Sequence, residues 1–373
     1  MNNKYKEITE ELLGLAGVKI NGMNSWDIQV YNDQFYKRVL TEGELGIGEA
    51  FMDGWWDAKQ PDELICKIHK AHLAERIRRK FSIMFRILAA HIEDLPSKSR
   101  AFVIGEKHYD LGNDLFQFML DKRMNYSCGY WKDATTLDEA QENKLDLICR
   151  KLYIKPGMRV LDIGCGWGAF GKYAAEKYNV EVVGLTVSKA QVELGRKLCK
   201  DLPVEFRLQD YRDINEQFDR IVSVGMIEHV GYRNYETYFK VANRCLKDNG
   251  LFLLHTIGNI KSVKTIDLWT KKYIFPVGMV PSVAQLGKAW ENLFVMQDWH
   301  SFGMDYDKTL MAWFDNFVSN WDQLKQQYSE RFFRMWKFYL LSAAGSFRSG
   351  NHSQLWQIVL SKNGVPGGYQ SVR

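Results

Sequence analysis

The chain has 373 residues, 46% hydrophobic and 25% charged, an ordinary globular composition with length enough for more than one domain. That excludes a disordered, collagen-like or disulfide-stapled protein. Fifty basic residues against 45 acidic ones leave a net charge of only +5, which implies no dedicated nucleic-acid binder.

The opening stretch MNNKYKEITEELL carries Lys4, Lys6, Glu7, Glu10 and Glu11 where a secretory leader needs an apolar run. No window approaches the roughly 18 uninterrupted apolar residues of a membrane-spanning helix. Six cysteines, Cys66, Cys128, Cys149, Cys165, Cys199 and Cys245, stand without any CxxC pair, a pattern of reduced thiols rather than of metal ligands or disulfides. The expectation is a cytoplasmic protein, bound at most peripherally to the inner face of a membrane.

Residues 67 to 86 hold a net charge of +6, more than the +5 of the whole chain: Lys67, Lys70, Arg76, Arg78, Arg79, Lys80 and Arg86 face only Glu75. From Leu73 onward, Leu73, Ile77, Phe81, Met84 and Leu88 step by four, four, three and four, which places them on one face of a helix. Such a helix either packs on a core with a solvated basic rim or lies on an anionic membrane surface. Pro96, Ser97 and Ser99 mark residues 91 to 104 as a linker. Residues 1 to 90 then form a smaller, largely helical amino-terminal domain, and residues 105 to 373 a second domain.

In that second domain Cys128 lies in an aromatic-rich turn with Tyr126, Tyr130 and Trp131. Strand-like runs follow at 158 to 164, 180 to 186, 203 to 209, 218 to 225 and 250 to 257, with helical patterns at 169 to 178, 188 to 200 and 235 to 247. This succession of βαβ units predicts an α/β fold with a doubly wound, mostly parallel sheet.

The first of these strands runs into Asp162-Ile163-Gly164-Cys165-Gly166-Trp167-Gly168 and then a helix. Glycines permit a tight turn and close approach of backbone to ligand. The alternative is an ordinary βα turn, but the flanking strand, the helix and Asp162 favour a cofactor loop. Its GxGxG spacing resembles the S-adenosylmethionine loop of class I methyltransferases, in which Asp162 would face the methionine amino end. Such enzymes commonly end the second strand in an acidic residue for the ribose, whereas here it ends Gly184-Leu185-Thr186, so Thr186 and Gln191 must substitute. Glu228 follows the fourth strand and His255 ends the fifth, both at the carboxyl edge where doubly wound sheets bind ligands. Singly, Glu228 reads as a helix cap, His255 as a satisfied core histidine and Cys128 as packing. Their common edge favours function.

The segments HYDLGND (108 to 114), MNYSCGYW (124 to 131), VLDIGCGWG (160 to 168), GLTVSKAQ (184 to 191), VGMIEHVG (224 to 231), LLHTIG (253 to 258) and YIFPVG (273 to 278) together resemble cyclopropane fatty acid synthases. FYKRVLTEGELGIGEAFMDGWW (35 to 56) is similar to the bacterial, phospholipid-acting branch. The resemblance implies a Rossmann-like class I methyltransferase domain that transfers a methyl from S-adenosylmethionine to a cis double bond of a phospholipid acyl chain and closes a three-membered ring. It implies that Cys128, Glu228, His255, Ile257 and Tyr306 surround a bicarbonate ion acting as the base, Cys128 and Ile257 mainly through backbone groups. It further implies cofactor contacts from Tyr109, Tyr126, Ser127, Gly164, Gly166, Thr186, Val187, Gln191, Gln209, Asp210 and Tyr211, beside Asp162. A homodimer on an anionic membrane surface completes the expectation. A relative giving a methyl-branched or methylene product, or an idle lipid-binding protein, are the alternatives. One departure bears on mechanism: where the family has a carboxyl-terminal C-A-G-x-F-R pattern, this chain reads Ala343-Ala344-Gly345-Ser346-Phe347-Arg348, and Ala343 offers no nucleophile.

Overall fold

The buried apolar runs between glycine-rich turns form the expected strands, in a computed structural model that describes residues 2 to 79 and 112 to 373. Tyr109, the linker at 91 to 104 and residues 80 to 88 of the basic stripe lie outside the described residues. Two compact units are present. One gathers the described residues up to Leu115 with 266 to 276 and 310 to 352, and the other 116 to 265, 277 to 309 and 353 to 373.

The second unit is built on a seven-stranded sheet of order β5-β4-β3-β6-β7-β9-β8. Its strands are β3 (Arg159–Ile163), β4 (Glu181–Thr186), β5 (Val204–Leu208), β6 (Phe218–Val224), β7 (Leu246–Asn259), β8 (Val295–Ser301) and β9 (Ser353–Ser361). Strands β3 to β7 are parallel, while β9 runs antiparallel between β7 and β8. The sheet is thus doubly wound and mostly parallel. Chain direction across it reverses between β3 and β6, the switch point at which such sheets open a ligand crevice.

Alternation along the strands sorts the core into two layers. Leu161, Ile163, Val183, Leu185 and Ile221 pack on one face with Tyr238, Phe239 and Phe252. Val160, Val182, Val222 and Leu253 pack on the other with Leu145, Ile148, Phe170 and Ala174. The helix Ala169–Tyr178 has the predicted bounds, because Gly168 (φ 89°) and Asn179 (φ 52°) take left-handed conformations at its two ends. The helix Leu137–Lys151 opens with a capping box between Thr136 and Glu139.

The first unit is largely helical, with a two-residue β pair, β1 (Gln29–Val30) and β2 (Trp56–Asp57). Phe51 packs between Trp56 (ring centroids 5.0 Å) and Phe338 (5.3 Å). The helix Glu330–Arg348 lies against Pro61–Lys70 so closely that a Cβ on Gly345 would stand 2.1 Å from the Asp62 carbonyl oxygen. The basic segment does not run as one helix from Lys67: Pro61–Lys70 ends at Ala71, His72 takes φ 50°, and a new helix starts at Leu73. A left-handed residue cannot continue a right-handed helix, and the periodicity, which begins only at Leu73, carries no sign of the break.

Candidate active site

The glycine loop follows β3 at the switch point. Gly164 and Cys165 both donate backbone N–H bonds to the Leu185 carbonyl (3.0 Å each), which folds the loop over the end of β4. Gly164 (φ 86°) and Gly166 (φ 54°) are both left-handed, yet they differ in what surrounds them. A Cβ on Gly164 would meet Met226 Cγ at 2.5 Å, whereas one on Gly166 meets nothing within 4 Å. Open space beside a glycine backbone is the cradle a cofactor needs, so the loop fits the group that its spacing implies. When bound, S-adenosylmethionine supplies an electrophilic methyl group.

Around that loop the other expected cofactor residues take definite places. Tyr126 packs on Phe116 (5.1 Å between centroids), and Phe116 on Trp167 (5.1 Å), which joins the 126 to 128 turn to the loop. Thr186 Oγ1 donates to Gln191 Oε1 (2.6 Å), and Gln209 N–H donates to the Thr186 carbonyl (3.0 Å). Thr186, Gln191 and Gln209 therefore stand at one edge. Both oxygens of Asp210 accept from the Arg212 guanidinium, with Tyr211 buried behind them. Val187 projects into solvent beyond β4, 77% exposed.

Asp162, near the end of β3, is buried, and burial pushes its carboxyl up to about 7 against the opposing field of Lys144. Lys144 escaped the sequence reading. It lies on the helix Leu137–Lys151, fully buried, where its ammonium donates to Asn125 Oδ1 (2.8 Å) and Ser127 Oγ (2.9 Å). Burial lowers it to about 8, although Asp121, Cys128 and Asp162 pull the other way. Gln141 Nε2 donates to the Ser127 carbonyl (2.8 Å) and completes the support of that turn. The signal was present: Leu137, Ala140, Lys144 and Leu147 step along one face, so a lysine occupies the buried stripe.

The residues expected to do the chemistry converge on one region. Glu228 follows β6 in a single 3-10 turn, and its Oε1 accepts the backbone N–H of Ile257 on β7 (2.8 Å). His255 lies two residues earlier on β7, in register with Val224 of β6 and Gln357 of β9. Gln357 Nε2 faces His255 Nδ1 at 3.3 Å, which leaves the ring proton on Nε2. Glu228 Oε2 and His255 Nε2 are buried and have no hydrogen-bond partner among the described residues. Burial raises Glu228 to about 7 and holds His255 well below its ordinary value, helped by Lys144 and Lys151, so the histidine is neutral.

The Cys128 turn reaches the same region through the helix Met304–Ser319. Thr309 Oγ1 accepts from Gly129 N–H (3.1 Å) and Trp131 Nε1–H (2.9 Å), and Asp305 accepts from Trp131 N–H (2.8 Å). Tyr306 is buried in the first turn of that helix. Phe302 makes T-shaped contacts with both His255 (ring centroids 5.9 Å apart) and Tyr130 (5.3 Å), so aromatic rings stand beside the pair. The Cys128 thiol donates to the Gly129 carbonyl, and burial together with Asp305 keeps it protonated. It is no nucleophile. Thr309, Asp305, Phe302 and Gln357 left no mark in the sequence, because each acts on a residue far away along the chain.

A buried neutral histidine beside aromatic rings and a carboxyl that holds its proton near neutrality suit chemistry in which positive charge develops and a proton must leave. A family profile described as "Mycolic acid cyclopropane synthetase" matches residues 97 to 358. The chain is 52% identical over 372 residues to the cyclopropane-fatty-acyl-phospholipid synthase of Escherichia coli K12, covering 100% of this chain and 97% of that protein. Cyclopropane mycolic acid synthase 3 of Mycobacterium tuberculosis H37Rv is 38% identical over 276 residues, covering 69% of this chain and 96% of that one. Among solved structures, a mycolic acid cyclopropane synthase complexed with SAH and CTAB matches with TM-score 0.63 and 35% identity, covering 68% of this chain and 96% of the other. The chain belongs to the cyclopropane fatty acid synthase family of class I S-adenosylmethionine-dependent methyltransferases.

Proposed function

We propose that this enzyme transfers the methyl group of S-adenosylmethionine to the cis double bond of an unsaturated phospholipid acyl chain and that loss of a proton from the new methyl closes a cyclopropane ring. One C–C bond forms in the transfer as the sulfonium C–S bond breaks, and the chain is left as a carbocation. Deprotonation of the added methyl then forms the second ring bond. The 52% identity over the full chain supports the substrate class. The observation that carries the site is that two buried polar atoms, Glu228 Oε2 and His255 Nε2, have no hydrogen-bond partner among the described residues and stand at neighbouring strands of the sheet that bears the glycine loop.

Those two atoms, with the backbone at Cys128 and Ile257 and with Tyr306, would hold a bicarbonate ion, which would supply the base. An anion beside Glu228 needs a proton there or a donor nearby. A carboxyl raised to about 7 and an Nε2–H on a neutral imidazole meet that need. The test is incubation with vesicles of unsaturated phospholipid and S-adenosylmethionine, followed by mass spectrometry of the acyl chains before and after derivatisation of double bonds. A product that gains CH2 and resists derivatisation is expected. A product that still forms the adduct favours the methylene reading, and no S-adenosylhomocysteine at all favours the idle lipid binder. Turnover is also expected to fall in carbonate-depleted buffer and to return with added bicarbonate; activity that survives exhaustive depletion overturns the ion's role.

The same reading places the enzyme on the inner face of a membrane as a homodimer, docked through its amino-terminal domain at 1 to 90 and joined by a linker at 91 to 104 to the catalytic domain at 105 to 373. Among the described residues no helix is long and apolar enough to cross a membrane. Each cationic side chain near an anionic surface contributes about 1 kcal/mol, screened by salt. Changing Arg78, Arg79 and Lys80 together to glutamate is therefore expected to weaken co-sedimentation with anionic vesicles strongly and to leave S-adenosylmethionine affinity intact. Equal binding by variant and wild type at low salt returns the segment to a packing helix.

A further inference from the structure

Lys144 is a cation without an assigned role at the centre of this site. A lysine that is fully buried carries a large desolvation cost, and it persists where its charge has a partner or a task. Its partners in the protein are neutral at the points of contact: an amide oxygen of Asn125 and the hydroxyl of Ser127. Around them its field reaches the buried Asp121 first, then Cys128 of the aromatic turn and Asp162 of the cofactor loop, and also His255 of β7.

We propose that Lys144 is a positioning residue for the carboxylate of the methionine end of S-adenosylmethionine, acting through the hydroxyl of Ser127; this rests on the cofactor reading given above. An ammonium group has donors only, so Ser127 Oγ accepts from Lys144 and keeps its own proton for another acceptor. The Ser127 carbonyl is already held by Gln141, and the turn is held by Asn125 on Asp121, so the hydroxyl is the free end of a braced assembly. Phe116 packs between that turn's Tyr126 and Trp167 of the glycine loop, which sets the turn beside the loop. The charges agree with the assignment. The methionine end is a zwitterion, with one ammonium and one carboxylate. Lys144 and Asp162 are a buried base and a buried acid that feel each other's field, complementary in kind to those two groups. Asp162 takes the ammonium side, Lys144 with Ser127 the carboxylate side.

Decarboxylated S-adenosylmethionine separates this role from simple bracing, because it keeps the adenosine, the sulfonium and the amine and lacks only the carboxylate. Calorimetry on the full chain is expected to show that Lys144→Met weakens binding of S-adenosylmethionine roughly 10- to 100-fold, as for a lost hydrogen bond to a charged group, while affinity for the decarboxylated form stays within a few-fold. Equal losses for both ligands overturn the proposal and leave Lys144 as a brace. A wild type that binds neither ligand overturns the cofactor reading instead. Should Lys144→Met fail to fold, judged by circular dichroism, Ser127→Ala carries the same test with the Lys144 charge and its contact to Asn125 retained. Its loss is expected to be selective for the carboxylate ligand, and an unselective loss is decisive against the proposal.

Discussion

Glu228→Gln and His255→Ala are each expected to lower turnover on unsaturated phospholipid by roughly 10²-fold or more, the range for loss of a positioned acid or base, while S-adenosylmethionine affinity changes little. The separation follows from the geometry. Glu228 follows the end of β6 and His255 stands on β7, which runs on past it to Asn259, and the two are joined through the Ile257 N–H bond to Glu228, whereas the open cradle belongs to the loop after β3. Glutamine keeps the acceptor for Ile257 N–H and loses only the carboxyl's titratable proton, so the variant reports on that proton. Steady-state kinetics with calorimetry on the same samples checks both halves. Unchanged turnover in either variant removes that residue from the chemistry, and parallel losses of turnover and affinity mean that the site has collapsed.

Glu228→Gln also carries a signature in stability that does not depend on activity. Burial raises the folded pKa of Glu228 to about 7 from an ordinary 4.5. Below 4.5 both folded and unfolded chains hold the proton and there is no penalty. Between 4.5 and 7 the unfolded chain ionises while the folded one does not, so this group destabilises the protein progressively as pH rises. Above 7 the penalty levels off, at a magnitude of order 3 kcal/mol. Glutamine does not titrate. The variant is therefore expected to gain stability relative to wild type between pH 4.5 and 7, read as a widening gap in denaturant midpoints, and a gap that stays constant rules out a buried, proton-holding Glu228.

Gly166→Val is expected to abolish binding of S-adenosylmethionine. Two effects act at this position. A β-branched residue at φ 54° strains the turn, and the added side chain projects into the open space that the cofactor's methionine moiety requires. Gly157→Val separates them, since Gly157 (φ 76°) is also left-handed with open space around it, but lies in the exposed turn before β3. Strain without obstruction is expected to lower the melting temperature and to leave cofactor affinity intact. Calorimetry on both variants decides. Unchanged affinity in Gly166→Val overturns the reading of the loop.

The methyltransferase half was legible in the sequence because its signals are local. Strands β3 to β6 begin and end within a residue or two of their predicted bounds, and the helix Ala169–Tyr178 is bracketed by a glycine and an asparagine, the residue types that most readily take the left-handed conformation found there. The glycine loop, Glu228 and His255 could be placed at one edge from strand order alone, since parallel βαβ units put every strand's carboxyl end on the same side.

What only the tertiary structure decided lies in long-range pairings and in burial. Strand β9 inserts antiparallel between β7 and β8, pairing Gln357 with His255 across about a hundred residues, and no periodicity within β9 names its partners. Thr309 braces the Cys128 turn from some 180 residues away. Lys144 stands on an apolar face that the sequence displays, but its chemistry comes from what the fold sets against it. The protonation states follow the same rule. A sequence states that a carboxyl or an imidazole is present, while the free energy of ionising it is set by the water that folding excludes and by the charges that folding brings near, so Asp162, Glu228 and His255 acquire their working states only in the assembled sheet.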